Sequence, residues 1–167
     1  MPQTAYQQDL TVACAGMIAD GDVADITSYP ASENIPFGRL VVVDAAGTCS
    51  LPKFAGAQPV SGVGSPLGIS LYDSATMPIA GALGGYAVGD PVPILRRGKV
   101  WADFVGSAAV DNQALNFGNS STLAADRGKF RVDATSVVAG SEVTAAPRTV
   151  AKQMVGTTLV RVDINIP

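Results

Sequence analysis

From Leu159 to Ile166 the chain alternates without a break: Leu159, Arg161, Asp163 and Asn165 interleave with Val160, Val162, Ile164 and Ile166. Period two with one apolar face is the pattern of a half-buried β-strand, and it demands a second layer to cover that face. Other runs repeat the signal. Ile35-Pro36-Phe37-Gly38-Arg39 leads into Leu40-Val41-Val42-Val43-Asp44 and is closed by Ala45-Ala46-Gly47, which predicts a strand and then a turn. A further strand is predicted over residues 66–73. Between these runs, Pro52, Gly56, Pro59, Gly62 and Gly64 point to an irregular loop. A second long connection holds Gly81-Ala82-Leu83-Gly84-Gly85, which breaks any helix.

Residues 89–106 place two apolar runs around a polar turn containing Gly98, the pattern of a β-hairpin. Pro91 and Pro93 cannot donate to a ladder, so the first of these strands is expected at an edge or bonded on one side only. An echo follows: Arg97-Gly98-Lys99-Val100-Trp101-Ala102-Asp103 resembles Arg127-Gly128-Lys129-Phe130-Arg131-Val132-Asp133. Two copies are too few for a solenoid and read as two similar hairpins in one domain. Only Ala151 to Val155 hints at a helical turn. The expected fold is therefore mainly β, a small β-barrel or sandwich with hairpins, long Gly/Pro-rich loops and an extended N-terminal arm. Residues 1–34 form the arm or loop-rich segment, with Asp20 to Asp25 read as a loop, and residues 35–167 form a single β domain.

The charge content separates this chain from an ordinary soluble domain. Hydrophobic residues make up 47% but charged ones only 15%, against about 25% in typical usage. So little charge leaves too little to coat a solitary surface, and part of the exterior is expected to be covered by partners. The length of 167 residues is enough to close a core without disulfides or metal. A net charge of −3 gives no drive toward nucleic acid, and no apolar run approaches the length that spans a bilayer. Met1-Pro2-Gln3-Thr4 resembles no secretory signal, so synthesis in a cytoplasm is expected. Cys14 and Cys49 are spaced for neither a metal nor a redox motif; free thiols are favoured over a disulfide.

The sequence holds no histidine. That removes Ser-His-Asp and Cys-His catalysis and His-ligated metals, so no catalytic residue, cofactor or metal is assigned. Asp20, Asp22 and Asp25 offer carboxylates to a hard cation, but the glycine and the glutamate that a full calcium loop requires are missing, and a solvated loop is the preferred reading. The Gly81–Gly85 stretch lacks the Lys-Ser or Lys-Thr of a phosphate-binding loop. Arg96, Arg97, Lys99, Arg127, Lys129 and Arg131 cluster in the two expected hairpin turns. They are either solvated turn tips or a cationic edge that steers an acidic partner into register.

Several segments resemble the phage structural cement family of head decoration proteins. Ala15-Gly16-Met17-Ile18-Ala19-Asp20, and Ile35-Pro36-Phe37-Gly38-Arg39 entering a valine strand, look like its N-terminal signature. Tyr86-Ala87-Val88-Gly89-Asp90-Pro91-Val92 through Gly98-Lys99-Val100-Trp101 is similar to its central hairpin, and Ala151 to Ile166 to its closing segment. Residues 107–147 match least. The resemblance implies a small β protein that binds the outside of an assembled phage head as an oligomer and braces neighbouring major capsid protein subunits. By analogy a trimer is preferred to a dimer. Met17, Ile18, Phe37 and Arg39, with the six basic residues named above, become the candidate capsid or oligomer contacts. The alternative is another phage structural β-domain, associated with a tail or fibre.

Overall fold

The computed structural model describes residues 13–19, 24–44, 46–52, 54–55, 58–59, 66–75, 84–106, 109–118, 124–132 and 143–166. Within these the strands are β1 (Asp25–Pro30), β2 (Ile35–Pro36), β3 (Leu40–Val43), β4 (Cys49–Ser50), β5 (Phe54–Ala55), β6 (Gln58–Pro59), β7 (Pro66–Ser70), β8 (Gly85–Tyr86), β9 (Pro91–Asp103), β10 (Ala114–Gly118), β11 (Phe130–Arg131), β12 (Val143–Val155) and β13 (Leu159–Asn165). A single 3-10 turn, Ala124–Asp126, lies between β10 and β11.

The main sheet runs β11-β10-β12-β13-β9-β7-β3-β4, with β1 added along β9. Two small ladders, β2-β8 and β5-β6, stand apart. Every named strand pair is antiparallel. The mainly β expectation holds. The path ends at β11 and β4 without pairing them, so the sheet does not close into a barrel and a sandwich-like arrangement is the one realised.

β13 is the strand that the alternation predicted: Val160, Val162 and Ile164 are fully buried while Arg161 and Asp163 are half-buried on the other face. The hairpin expected around Gly98 is instead one continuous strand, β9, of 13 residues. The reason lies in its register. β1 pairs Ile26 with Leu95 and Asp25 with Arg97, which leaves Arg96 unopposed as the extra residue of a β-bulge. Ile94 packs in one apolar cluster and Leu95 in another. Past the bulge the face toward the second of these clusters is taken by Val100 and Ala102. An odd step from Leu95 to Val100 is possible only if one residue is inserted, since side chains two apart share a face. Gly98 adopts φ +134°, which a side chain would resist. The Arg-Gly pair therefore bends a strand rather than reversing it.

β9 is also central, not an edge. β1 covers its first half and β13 its second, while β7 pairs with Leu95 and Ile94 from the opposite side. The prolines fit because Pro93 uses only its carbonyl, which accepts from the Leu71 N–H at 2.9 Å. The second basic-glycine segment does not repeat the first but lies in the connection between the antiparallel strands β10 and β11. Its turn follows the 3-10 helix and feeds the two-residue strand β11. Ala151 to Val155 is not helical either, but the end of β12, with Ala151 opposite Val162 and Val155 opposite Leu159. Cross-strand pairing with β13 outweighs a weak local preference there.

Of residues 1–34, positions 1–12 and 20–23 lie outside the described residues, which include Asp20 and Asp22. Residues 16–19 and 25–32 are hydrogen-bonded to the sheet. Gly16 N–H donates to Trp101 O at 2.7 Å, Trp101 N–H to Met17 O at 2.9 Å and Ala19 N–H to Lys99 O at 2.9 Å, so residues 16–19 run along β9. Asp25, read as the end of a loop, opens β1.

Candidate interaction surface

A groove of about 1090 Å³ opens beside the end of β9. Its polar wall is assembled from residues far apart in sequence. Arg39, between β2 and β3, is 8% exposed. Its Nε donates to Asp103 Oδ2 at 3.1 Å, and its Nη1 donates to the carbonyls of Ala125 at 2.6 Å and Arg127 at 2.9 Å. One guanidinium thus ties the end of β9 to the turn after the 3-10 helix. Burial pulls Arg39 below its ordinary pKa and pushes Asp103 above the usual carboxylate range; the attraction between the two charges opposes both shifts.

Arg127 makes a second clamp. Its Nη1 and Nη2 donate to Glu33 Oε2 at 3.0 Å and Oε1 at 2.7 Å, a two-pronged pair whose planar geometry only arginine supplies. Nε also donates to Pro52 O at 3.0 Å and Nη2 to Leu51 O at 2.8 Å. Glu33 Oε1 in turn accepts the Leu51 N–H at 2.9 Å. Next to this, Lys129 Nζ lies 2.8 Å from Asp126 Oδ1. Gly128 sits at φ +75°, and a Cβ there would come 2.6 Å from Leu40 O, so the turn between the two cations accepts only glycine without shifting.

The apolar rim of the groove is aromatic at its centre. Phe37 is buried and meets Tyr72 and Tyr86 edge to face, with ring centroids 5.1 and 5.3 Å apart. Tyr86 is fully buried and its hydroxyl donates to Leu71 O at 2.8 Å; burial raises its pKa. Tyr72 remains 46% exposed and Val88 66% exposed, both facing the groove.

The residues singled out from sequence do not share one place. Phe37, Arg39, Arg127 and Lys129 gather at the groove, the first in the core and the three cations engaged within the chain. Arg96, Arg97 and Lys99 sit at the bulge of β9, with Arg97 exposed and the others half-buried. Arg97 is six positions from Asp103 along the strand, which separates the two basic groups by roughly 20 Å. Arg131 is half-buried on β11, its Nε buried with no hydrogen-bond partner among the described residues. Met17 is half-buried and Ile18 is 41% exposed on the segment beside β9. Asp103, Glu33 and Tyr72 were not marked by the sequence. Arg39–Asp103 spans 64 positions and Arg127–Glu33 spans 94, and no local spacing reveals contacts of that range.

A profile of the structural cement protein family (E217 gp24/Pam3 gp6) matches residues 1–165. The chain belongs to the phage structural cement protein family. The match takes in both clamps, the groove and the bulged strand, so the whole described fold falls inside it. A solved chain from the capsid of Myoviridae phage XM1 has the same fold, with a TM-score of 0.72 and 17% identity over 98% of this chain and 96% of the other. No curated protein matches the chain. The cement protein therefore has a structural, capsid-stabilising role in the phage particle.

Proposed function

We propose that this cement protein is made in the host cytoplasm, binds the outer surface of the assembled head and braces contacts between major capsid protein subunits, without catalysing a reaction. The observation that carries the reading is the family match from residue 1 to residue 165. Low charge density, with 15% charged side chains, favours a protein that covers much of its exterior in an assembly. Repeated weak contacts over a symmetric shell add through avidity, so each copy needs only a modest interface. Self-association, as a trimer, and the absence of nucleic-acid or membrane partners belong to the same proposal. Of the contacts marked from sequence, Ile18 and Arg97 are the exposed ones and are assigned to the capsid or to a second copy.

The test is addition of the purified protein to expanded heads that lack it. Saturation is expected to raise the temperature at which the heads release DNA, and electron microscopy is expected to place the protein on the head exterior. Heads that gain no stability at full occupancy, or density on tails alone, would reject the proposal.

A further inference from the structure

Arg148 adopts φ +47°, a left-handed backbone that a residue with a Cβ resists. The other positive values among the described residues fall on glycines, or on Asn112 in a turn, where a short polar side chain suits the conformation. Arg148 is neither of these, and it lies inside the 13-residue strand β12. The chain bulges there: two steps along β10, from Ala114 to Asn116, answer five along β12, from Val150 back to Ala145. Glycine would take this backbone at less cost, so the bulge alone does not account for an arginine. What it presents is the side chain, which is exposed.

The register gives Arg148 a neighbour of like charge. β13 pairs Asn165 with Arg97 of β9, and Ile164 with Thr149 of β12. Arg148 comes just before Thr149 and Asn165 just after Ile164, so antiparallel pairing carries Arg148 to the far side of Asn165 from Arg97. Thr149 is buried on the core face with Ile164, which turns Arg148 to the outer face with Asn165 and Arg97, all three exposed. Two strand spacings separate the arginine backbones by roughly 10 Å. Unlike Arg39 and Arg127, neither guanidinium has a hydrogen bond or an ion pair among the described residues.

Two unpaired cations call for an anionic occupant, and the surroundings narrow it. Asp25, opposite Arg97, and Asp163, two residues before Asn165, share this face, so a run of phosphates would be repelled as well as attracted. The net charge of −3 adds no pull toward nucleic acid. A second copy does not supply the match either. Among the described carboxylates Glu33, Asp103 and Asp126 are held in ion pairs, Asp44, Asp73 and Asp90 accept backbone N–H groups of their own turns, and Asp111 accepts from the Asn112 amide. Asp25 and Asp163 would reach the row from a copy only with that copy's own arginines set against these, like charge facing like. We infer that Arg97 and Arg148, on either side of Asn165, form a docking row for two carboxylates on an acidic segment of the shell protein, an inference that rests on the capsid-binding proposal above. Each guanidinium fits one carboxylate in a two-pronged pair, and the Asn165 amide can bond to the segment between them.

The experiment measures binding of the full chain and its variants to heads that lack the protein, with thermal unfolding of each alongside. Arg148→Gly removes the side chain and suits the backbone, so it is expected to melt no lower than the parent yet to bind roughly fivefold more weakly, the scale of one charge pair at an interface. Arg97→Gln is expected to weaken binding to a similar extent with parent-like melting. Arg148→Lys, which keeps the charge without the fork, is expected to fall between. Binding of the parent is expected to weaken as salt rises from about 0.05 to 0.3 M, and more steeply than that of the double variant. Parent-like binding by both Arg148→Gly and Arg97→Gln would overturn the row and leave the capsid proposal standing. A lower melting temperature for Arg148→Gly would make the arginine a structural residue and overturn the argument from strain. A loss of self-association in the free variants would point to a second copy, and comparable affinity of the parent for duplex DNA would point to phosphates; either result overturns the acidic segment. Failure of the parent itself to bind heads would reject the capsid proposal and this inference with it.

Discussion

The two apolar clusters of this cement protein are built by different means. The first, with Leu95, Val100, Phe104, Phe130, Val160 and Val162, is walled by the long strands β9, β12 and β13. Most of its residues alternate along these strands, with a one-residue shift at the bulge of β9, and its backbone is tied by long ladders. The second, with Ile35, Phe37, Val41, Cys49, Tyr86 and Ile94, takes Ile35, Cys49 and Tyr86 from strands of two residues and Phe37 from a loop, beside β3 and the start of β9. What holds it in shape is polar: the Tyr86 hydroxyl, the Ser70 Oγ donating to Pro36 O at 2.8 Å, and the arginine clamps at its border. Packing is spread over many side chains in the first and concentrated in a few directional bonds in the second.

The largest effect is expected from the first cluster. Phe130, on the edge strand β11, is fully buried and meets both the residue that follows β9, Phe104, and the strand β10, where it lies directly opposite Phe117. Phe130→Ala is expected to cost about 3–5 kcal/mol, combining lost burial with a cavity that long paired strands cannot collapse to fill. Denaturant unfolding followed by tryptophan emission reports it, since buried Trp101 lies on β9. A loss well under 1 kcal/mol would mean that this cluster relaxes freely and that the contrast with the second is false.

Arg127→Met asks the complementary question of the polar border. It strips Glu33 of both prongs and leaves the carbonyls of Leu51 and Pro52 without their donors. The side chains are 14% and 23% exposed, so the expected loss is about 2 kcal/mol, below that of a fully buried pair. Glu33→Gln in the same chain is expected to recover part of the loss, because the stranded charge is then gone while an amide oxygen remains to accept the Leu51 N–H. If the double variant is no more stable than the single one, the clamp works through the carbonyls and not through the ion pair.

The same contrast explains what was legible in the sequence. Alternation at Val160, Val162 and Ile164 announced a buried face, and that face is where the structure has it. The valine run at Leu40 to Val43 was equally readable. By contrast, Arg97-Gly98 looked like a hairpin turn because glycine between basic residues serves a turn and a bulge equally well. Only pairing with β1, distant in the chain, decides between them. The basic turns read equally as solvated tips or as a cationic edge for a related reason. Composition shows that Arg39 and Arg127 are charged, but their counter-charges and acceptor carbonyls arrive from other elements only after folding. The family resemblance located the function without locating the groove, since Tyr72 and Glu33 lie in none of the segments that carried it.

The thiols sharpen the comparison without changing stability. Both are free. Cys49 is fully buried in the second cluster, and burial pushes its pKa up to about 11. Cys14 lines the groove and is half-buried, with its pKa raised for the same reason. At pH 8 a thiol reagent is therefore expected to modify Cys14 first, and Cys49 only when the cluster opens. Comparable rates at the two sites in the native protein would show that the short strands of the second cluster open readily, and that the polar clamps do not hold it shut.

The smallest effect tests the clamps against a cation two residues away. Lys129 and Asp126 are separated by one turn of chain, and their side chains are 21% and 29% exposed. Lys129 contributes one ion pair, whereas Arg127 ties together Glu33, Leu51 and Pro52. Water screens the lysine pair and its flexible stem loses entropy on ordering, so Lys129→Ala is expected to cost about 0.5 kcal/mol or less. The cost is expected to shrink further at high salt, while that of Arg127→Met persists because its bonds are shielded from solvent. Equal losses for the two variants would mean that position in the turn matters more than the bonds each cation makes, and the division between a packed and a clamped region would fail.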